Sequence, residues 1–408
     1  MRAAYDAAVI GLGVTGAATV AELAGRGLRV VGLDRYTPPH PLGASHGRTR
    51  IIREAYFEDP LYVPWVRRSY DGWTRLEAWA NQRLLVRTGA LTLAPARAAR
   101  APHRARAPDS ASAPPRSRAA ATAAGGTPPS VAAAALESAR VHGVETELLD
   151  AAAVARRFPG LAPPDDFTAV LDPGAGTLLV ERCVRALHTQ ARSLGADLRV
   201  ATRVVALEPD DGGITIVTDA GPARAGRVVI AAGAWTARLL PEPPPLTVER
   251  QTVHWFAPAE AHAESARAGA MPITLWQDRD GSMLYVIPDV GEGMKAGLHH
   301  GGPTADADDV PAIVSETEWC AVESRLRAYV PAAGARLHAA PCLYTNTPDR
   351  HFLLDAYPAE PRIVVASACS GHGFKFAPAI AQAVAARLLD EPFALDATPF
   401  RWSRWSTS

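Results

Sequence analysis

Ala7-Ala8-Val9-Ile10-Gly11-Leu12-Gly13-Val14-Thr15-Gly16 opens the chain, and Leu28 to Leu33, closing on Asp34, follows shortly after. The apolar run 7–10 reads as a strand, and Ala17 to Arg26 as a helix. Gly27 ends that helix, and 28–33 is a second strand. The three glycines serve different ends. Gly11 allows a tight turn, Gly13 lets the backbone approach a pyrophosphate, and Gly16 lets helix and strand pack closely. The helix N-terminus offers unpaired N–H groups to phosphates, and Asp34 is placed to accept from a ribose diol. The pattern predicts an α/β chain built on a dinucleotide-binding unit.

The strand pattern resumes far downstream. Leu198 to Val200, Arg203 to Leu207 (with Val204), Ile214 to Val217 and Arg227 to Ala231 read as strands. The last runs into the small-residue turn Ala232-Gly233-Ala234-Trp235. Arg362 to Ala366 is another strand, followed by Ser370-Gly371-His372-Gly373 and a helix from Ala377 to Leu389. The glycine motif alone does not separate FAD from NAD, but such a late return of strands to the first βαβ unit is typical of FAD folds. Gly-rich strand-to-helix junctions at Gly371 and Gly373 bring backbone N–H groups to a ligand. The reading is a discontinuous, Rossmann-like FAD-binding domain from 1–81, 151–238 and 343–398. The segments 82–150 and 239–342 form an α+β substrate domain with a mostly antiparallel sheet. Its strands are Val253 to Phe256, Ile273 to Trp276 and Met283 to Ile287, with a helix from Glu316 to Val330. The proline-rich run Leu239 to Pro245 is a stiff linker between the two. From Ala94 to Ser130 there is no Val, Ile, Leu, Met or aromatic residue, but seven Pro and six Arg. That stretch has too little apolar area to offset its ordering entropy and reads as a disordered loop.

Composition narrows the function. The chain has 408 residues, and its 42 basic side chains cancel 42 acidic ones. This gives no electrostatic ground for a nucleic-acid partner or an anionic membrane. No apolar run is long enough for a spanning helix. The first residues lead straight into the strand without room for a signal peptide, so a cytoplasmic protein is expected. Cys183, Cys320, Cys342 and Cys369 are too scattered for a disulfide framework or a paired-cysteine metal site. Among the basic residues only Lys295 and Lys375 are lysines; the rest are arginine. In a chain so biased towards arginine, a surviving lysine points to a place that needs a compact ammonium or a lowered pKa.

Three clusters carry unusual chemistry: Ser45-His46-Gly47-Arg48-Thr49-Arg50-Ile51-Ile52-Arg53-Glu54-Ala55-Tyr56, Gly293-Met294-Lys295-Ala296-Gly297-Leu298-His299, and Pro341-Cys342-Leu343-Tyr344-Thr345 with Ser370 to Phe376. Taken singly, the arginines read as a solvated face, His299 as a structural histidine and Cys342 as a small buried hydrophobe. Taken together, from about Tyr5 to about Leu389, the arrangement resembles the monomeric sarcosine oxidase and N-methyltryptophan oxidase family of flavoprotein amine oxidases. The pieces that carry the resemblance are Gly-Arg-Thr-Arg-Ile-Ile-Arg at 47–53, Cys-Leu-Tyr-Thr at 342–345 and Ser-Gly-His-Gly-Phe-Lys-Phe at 370–376.

The resemblance implies an FAD-dependent oxidase of a secondary amino acid, with oxygen as acceptor and hydrogen peroxide as product, and a monomeric state. It implies a thioether from Cys342 to the flavin, and a carboxylate clamp from Arg53 and Lys375. Lys295 would lie near the flavin and serve oxygen, and Arg50 and His46 would also lie near it. His299, Tyr56, Tyr285 and Tyr344 would line the substrate pocket. Glu54 and Phe57 depart from the best-known members, and the low-complexity segment replaces a helical region of the second domain. Two other readings stay open: a dehydrogenase of the same fold that uses another acceptor, and a non-catalytic flavin-binding or nicotinamide-dependent protein.

Overall fold

The computed structural model describes residues 4–96 and 130–405. The strand Tyr5–Ile10 is buried from Ala7 onward and has a parallel partner on each side, Val30–Leu33 and Ala223–Ile230. A strand apolar at successive positions needs cover on both faces. One face receives the helices Val14–Gly25, Val180–Ser193 and Ala377–Leu389. Alanines on two of these, Ala17, Ala21 and Ala24 against Ala381 and Ala385, let the backbones approach closely. The other face carries Ala8, Ile10, Val31 and Leu33 against Ile214, Ile216, Ile230 and Val365.

This first sheet runs in the order Val204–Asp210, Gly213–Thr218, Ala223–Ile230, Tyr5–Ile10, Val30–Leu33, Asp197–Arg199. The far edge of Ala223–Ile230 is shared. Its first half pairs antiparallel with Gly213–Thr218, and its second half pairs parallel with Glu360–Ser367, itself in a hairpin with Leu353–Tyr357. The second sheet runs Ala333–Asn346, Thr247–Pro258, Met294–Leu298, Met283–Ile287, Ile273–Gln277, Ala90–Pro95, Phe167–Asp172, Glu147–Asp150. It is antiparallel except between Ile273–Gln277 and Ala90–Pro95. The helix Glu316–Tyr329, opened by a capping box between Ser315 and Glu318, packs on it. A small third sheet joins Thr49–Ile52, Gly176–Leu179 and Leu85–Arg87.

The fold is thus the mixed α/β architecture that the sequence implies, with differences in detail. The first helix begins at Val14 rather than Ala17, so its opening turn runs through the glycine motif itself. Phe167–Asp172 lies in the stretch 151–238 assigned to the first domain, yet it pairs with Ala90–Pro95 and Glu147–Asp150 in the second sheet. Leu85–Arg87 and Gly176–Leu179 face each other in the third sheet from opposite sides of the division at residue 150. Ala333–Asn346 is one continuous strand across the division at 342.

An aromatic cluster supports the turn that carries the second lysine. Tyr62 lies 5.2 Å, 5.4 Å and 5.8 Å, centroid to centroid, from Phe352, Phe376 and Phe400. Such pairs add about 0.5–1.5 kcal/mol beyond area burial. Trp73 donates from its indole to the Lys375 carbonyl at 2.8 Å, locking the short turn Phe374–Phe376. No helix among the described residues is long and apolar enough to cross a membrane.

The loop read from 94 to 130 is narrowed at both ends. Ala94 and Pro95 pair with Thr168 and Phe167, and the Ser130 hydroxyl caps the helix Val131–His142. Residues 97–129 lie outside the described residues. A short Gly-Ser link in place of 97–129, with Pro95 and Ser130 kept, is expected to preserve a cooperative thermal melt. The composition offers little to bury, and closure entropy changes by only about 0.6 kcal/mol per doubling of loop length. Circular dichroism melting is the check, and loss of the transition would give the segment a role in folding.

Candidate active site

The glycine motif closes one end of a long cleft. Gly11 has φ +92°, and a Cβ there would sit 2.5 Å from the Ala231 carbonyl oxygen. A Cβ on Gly16 would sit 1.8 Å from the Gly11 carbonyl oxygen, so neither position admits a side chain. Gly13 caps the helix without a side chain, and no acidic residue stands in the first turn. The first-turn N–H groups have no partner within the helix; Val14 donates to Ser45 Oγ at 3.0 Å. Asp34 is buried and accepts from Leu12 N at 2.7 Å and Tyr36 N at 2.8 Å, one bond per oxygen. Each oxygen keeps a lone pair for a hydroxyl. Val204 and Gly233 line the same end. Asp308 reaches across from the second sheet's side, accepting from Arg35 at 2.5 Å and Trp235 at 2.7 Å. These residues fit a dinucleotide: a helix N-terminus without an acidic residue, a cradle that a Cβ would fill, and an acid with spare acceptor capacity. Thr49, further along the lining, has a buried Oγ1 without a hydrogen-bond partner.

The same cleft is lined by Arg50, Lys295, Cys342, Tyr285, Tyr344 and His299. Arg50 comes from the third sheet and Lys295 from the second, where it pairs with Trp255. Arg50 Nη2 donates to Cys342 Sγ at 3.4 Å and to the Ala44 carbonyl at 2.8 Å. Lys295 Nζ donates to the carbonyls of Gly47 at 2.9 Å and Thr49 at 2.5 Å. Burial, with Arg50 nearby, drives the Lys295 pKa well below the ordinary lysine value. His299 Nδ1 stands 3.3 Å from the Tyr344 hydroxyl. Burial lowers the His299 pKa well below the ordinary value and raises that of Tyr344. Gly371 has φ +79°, and its missing Cβ leaves room for the Tyr344 and His299 rings, 2.7 Å and 2.9 Å away.

The third region is a buried charge cluster. Arg53 stacks on Tyr56 and Phe57, its guanidinium carbon 4.3 Å and 4.1 Å from the ring centroids. It donates to the Ala55 carbonyl at 2.8 Å and to Glu58 Oε2 at 2.6 Å. Lys375 Nζ donates to the His372 carbonyl at 2.7 Å and the Tyr56 hydroxyl at 3.2 Å. Burial, then Arg53, push the Lys375 pKa down to about 7, while Glu58 acts the other way.

Most of the residues singled out from the sequence meet in this one cleft. Gly16, His46 and Tyr56 do not line it. Gly16 packs the helix on its strand, Tyr56 lies behind Lys375, and His46 is buried with its pKa lowered to about 3, chiefly by burial and then by Arg50 and Lys295. Glu54 turns away to Arg67, at 2.6 Å, whereas Phe57 lines the cleft. Sequence reasoning missed Glu58, Ser45 and His372 as site residues. Glu58 was within reach: an acid five positions after a clamp arginine has a natural partner in it.

Comparison with known proteins shows the family. The family model for FAD dependent oxidoreductases matches residues 6–387. The chain is 34% identical over 391 residues to monomeric sarcosine oxidase of Streptomyces avermitilis, covering 94% of each. It is 31% identical over 404 residues to N-methyl-L-tryptophan oxidase of Salmonella gallinarum, covering 98% of this chain and 99% of that one. Among solved structures it resembles NikD, an unusual amino acid oxidase essential for nikkomycin biosynthesis, with TM-score 0.80, 23% identity and 98% of each chain covered. It also resembles glycine oxidase from Geobacillus kaustophilus, with TM-score 0.77, 21% identity and 98% of each chain covered. Matched over nearly its whole length, the chain belongs to the FAD dependent oxidoreductase family.

Proposed function

We propose that this protein is an FAD-dependent oxidase of a secondary amino acid, N-methyl or cyclic. The products are hydrogen peroxide and an imine that water hydrolyses to an amine and an aldehyde. The observation that carries the reading is the buried pair Arg53 and Lys375 in the same cleft as the glycine cradle. Buried cations need an anion: Glu58 serves Arg53, while Lys375 meets only neutral acceptors, so its ammonium form lacks an anion. A substrate carboxylate supplies the balance.

Bound FAD would accept the hydride equivalent from the amine carbon and pass its electrons to oxygen. Gly11, Gly13, Asp34, Val204, Gly233, Gly371 and Gly373 would hold it, with Gly16 keeping the helix in place and His46 packed behind. We assign the first sheet's segments to FAD binding and the second sheet to the substrate. Arg50 fixes the direction of Cys342 Sγ, the proposed attachment point. Arg53 has further N–H groups beyond those given to Ala55 and Glu58, and these receive the carboxylate and fix the substrate's orientation. Tyr285, Tyr344 and His299 form the wall around the amine. Lys295, tethered to two carbonyls, offers a compact charge to oxygen as it is reduced. The reading includes a monomer working in the cytoplasm.

A panel of secondary amino acids assayed for peroxide tests the activity. Peroxide with at least one of them is expected; flavin reduction without peroxide would make the protein a dehydrogenase.

Acid-precipitated protein is expected to keep its yellow colour in the pellet, and Cys342→Ser to release flavin to the supernatant. Free flavin from the unaltered protein would contradict attachment at Cys342. Arg53→Lys keeps the charge but loses the planar fork. Binding of a carboxylate inhibitor is expected to weaken by about 1.5–3 kcal/mol, roughly tenfold to a hundredfold. Unchanged affinity, read from the flavin spectrum, would remove Arg53 from the clamp.

Lys295 carries a pH signature. Its lowered pKa means the ammonium is present at low pH and is lost as pH rises. Reoxidation by oxygen is therefore expected to slow with rising pH. In Lys295→Met it should be slower by about 10²–10³ and lose that dependence, with anaerobic reduction changed modestly. Stopped-flow measurement of the two half-reactions decides, and a collapse of the reductive half alone would move Lys295 to the substrate.

A further inference from the structure

Behind the clamp runs a chain of hydrogen bonds whose direction is fixed. His372 Nε2 lies 3.2 Å from the Arg350 carbonyl oxygen, which only accepts, so Nε2 carries the ring's hydrogen. Burial holds the His372 pKa down at about 3, so the ring has no second hydrogen. Its Nδ1, 2.8 Å from the Tyr56 hydroxyl, must then accept the tyrosine proton. With its proton given to His372, the Tyr56 oxygen is an acceptor towards Lys375 Nζ. The other neighbour of Nζ, the His372 carbonyl, also only accepts.

Two tetrahedral positions of Nζ are thus N–H bonds committed to acceptors in either charge state of Lys375. The remaining position belongs to a side chain that lines the cleft. It holds a third N–H when Lys375 is an ammonium and a lone pair when it is an amine. The charged and titratable groups around it are Arg50 and Arg53 from the third sheet and its continuation, Glu58 and Tyr56 beyond them, Tyr62 on the helix packed behind, His372 in the same turn, and His299. The helix that follows Lys375 has no acidic residue in its first turn. Arg53 and Arg50 favour the amine, and Glu58 favours the ammonium.

We propose that Lys375, as an amine oriented by Tyr56 and His372, takes the proton from the substrate's ammonium group and so generates the free amine that is oxidised. This rests on the secondary amino acid reading above. The N–H bond of the zwitterion breaks, its electron pair stays on the substrate nitrogen, and the proton forms the third N–H bond on Nζ. No electrons leave either group, and no proton comes from solvent. The same transfer converts Lys375 into the ammonium that pairs with the substrate carboxylate. Tyr56 and His372 act as positioning residues: they keep the two other N–H bonds occupied.

The test uses the flavin-loaded protein. Butyrate and cyclopentanecarboxylate replace NH by CH2 in sarcosine and proline, so they bring the carboxylate without a transferable proton. Above the pKa of Lys375, their binding is expected to draw close to one proton from weakly buffered solution, followed with a pH indicator. Lys375→Arg is expected to bind them without uptake. In the same variant, anaerobic flavin reduction by the best amino acid of the panel should rise about tenfold per pH unit below the free amine's pKa, while the unaltered protein stays nearly flat between the Lys375 pKa, about 7, and that of the free amine. A role in folding alone would lower the rate equally at every pH. Binding of the carboxylates without proton uptake by the unaltered protein, or matching pH profiles in the two proteins, would overturn the proposal and leave the clamp standing. Binding of neither carboxylate would overturn the clamp itself, and the proposal with it.

Discussion

Four basic side chains gather around one cleft: Arg53, Lys295 and Lys375 buried, and Arg50 half-buried. Taking a charge from water costs several kcal/mol even after relaxation, unless partners replace the lost hydration. The chain meets that cost with carbonyls and a single carboxylate. Ala44, Thr49, Gly47, Ala55 and His372 supply main-chain oxygens, and Glu58 supplies the anion. Main-chain carbonyls solvate a cation without neutralising it. The cluster therefore keeps an affinity for further anions, which in the proposed function are the substrate carboxylate and reduced oxygen species.

The fold holds this cluster by bringing separate layers to one line. The third sheet delivers Arg50 and the turn with Arg53. The second sheet delivers Lys295 from one strand and Cys342 from another, both flanking Thr247–Pro258. The aromatic cluster behind the first sheet fixes Lys375. The two lysines share one arrangement. Each Nζ sits between two carbonyl or hydroxyl acceptors, a geometry suited to a compact tetrahedral nitrogen.

Much of this was legible in the sequence because it depends on local chemistry. The glycine motif is readable because Gly16 is demanded by the Gly11 carbonyl within the same unit, although Gly11 itself is demanded by Ala231 far downstream. The helix Ala377–Leu389 and the strand Met283–Ile287 agree with their patterns residue for residue. The two-lysine argument pointed at Lys295 and Lys375 from composition alone. What was not legible depends on pairing across long separations. Phe167–Asp172 is apolar enough for either sheet, and only its partner Ala90–Pro95 decides. The orientation of Tyr56 follows from His372, more than three hundred residues away, which follows in turn from a carbonyl at Arg350. Glu58 looks like any half-exposed acid until Arg53 folds onto it.

The central claim is that an amino acid, held by its carboxylate, reduces a flavin in this cleft. Anaerobic titration of the purified protein with a secondary amino acid and with the same amine lacking the carboxylate tests it most directly. The account predicts that the amino acid bleaches the flavin absorbance stoichiometrically and that the carboxylate-free amine leaves it unchanged at the same concentration. Equal bleaching by both, or by neither member of any pair across the panel, would contradict it.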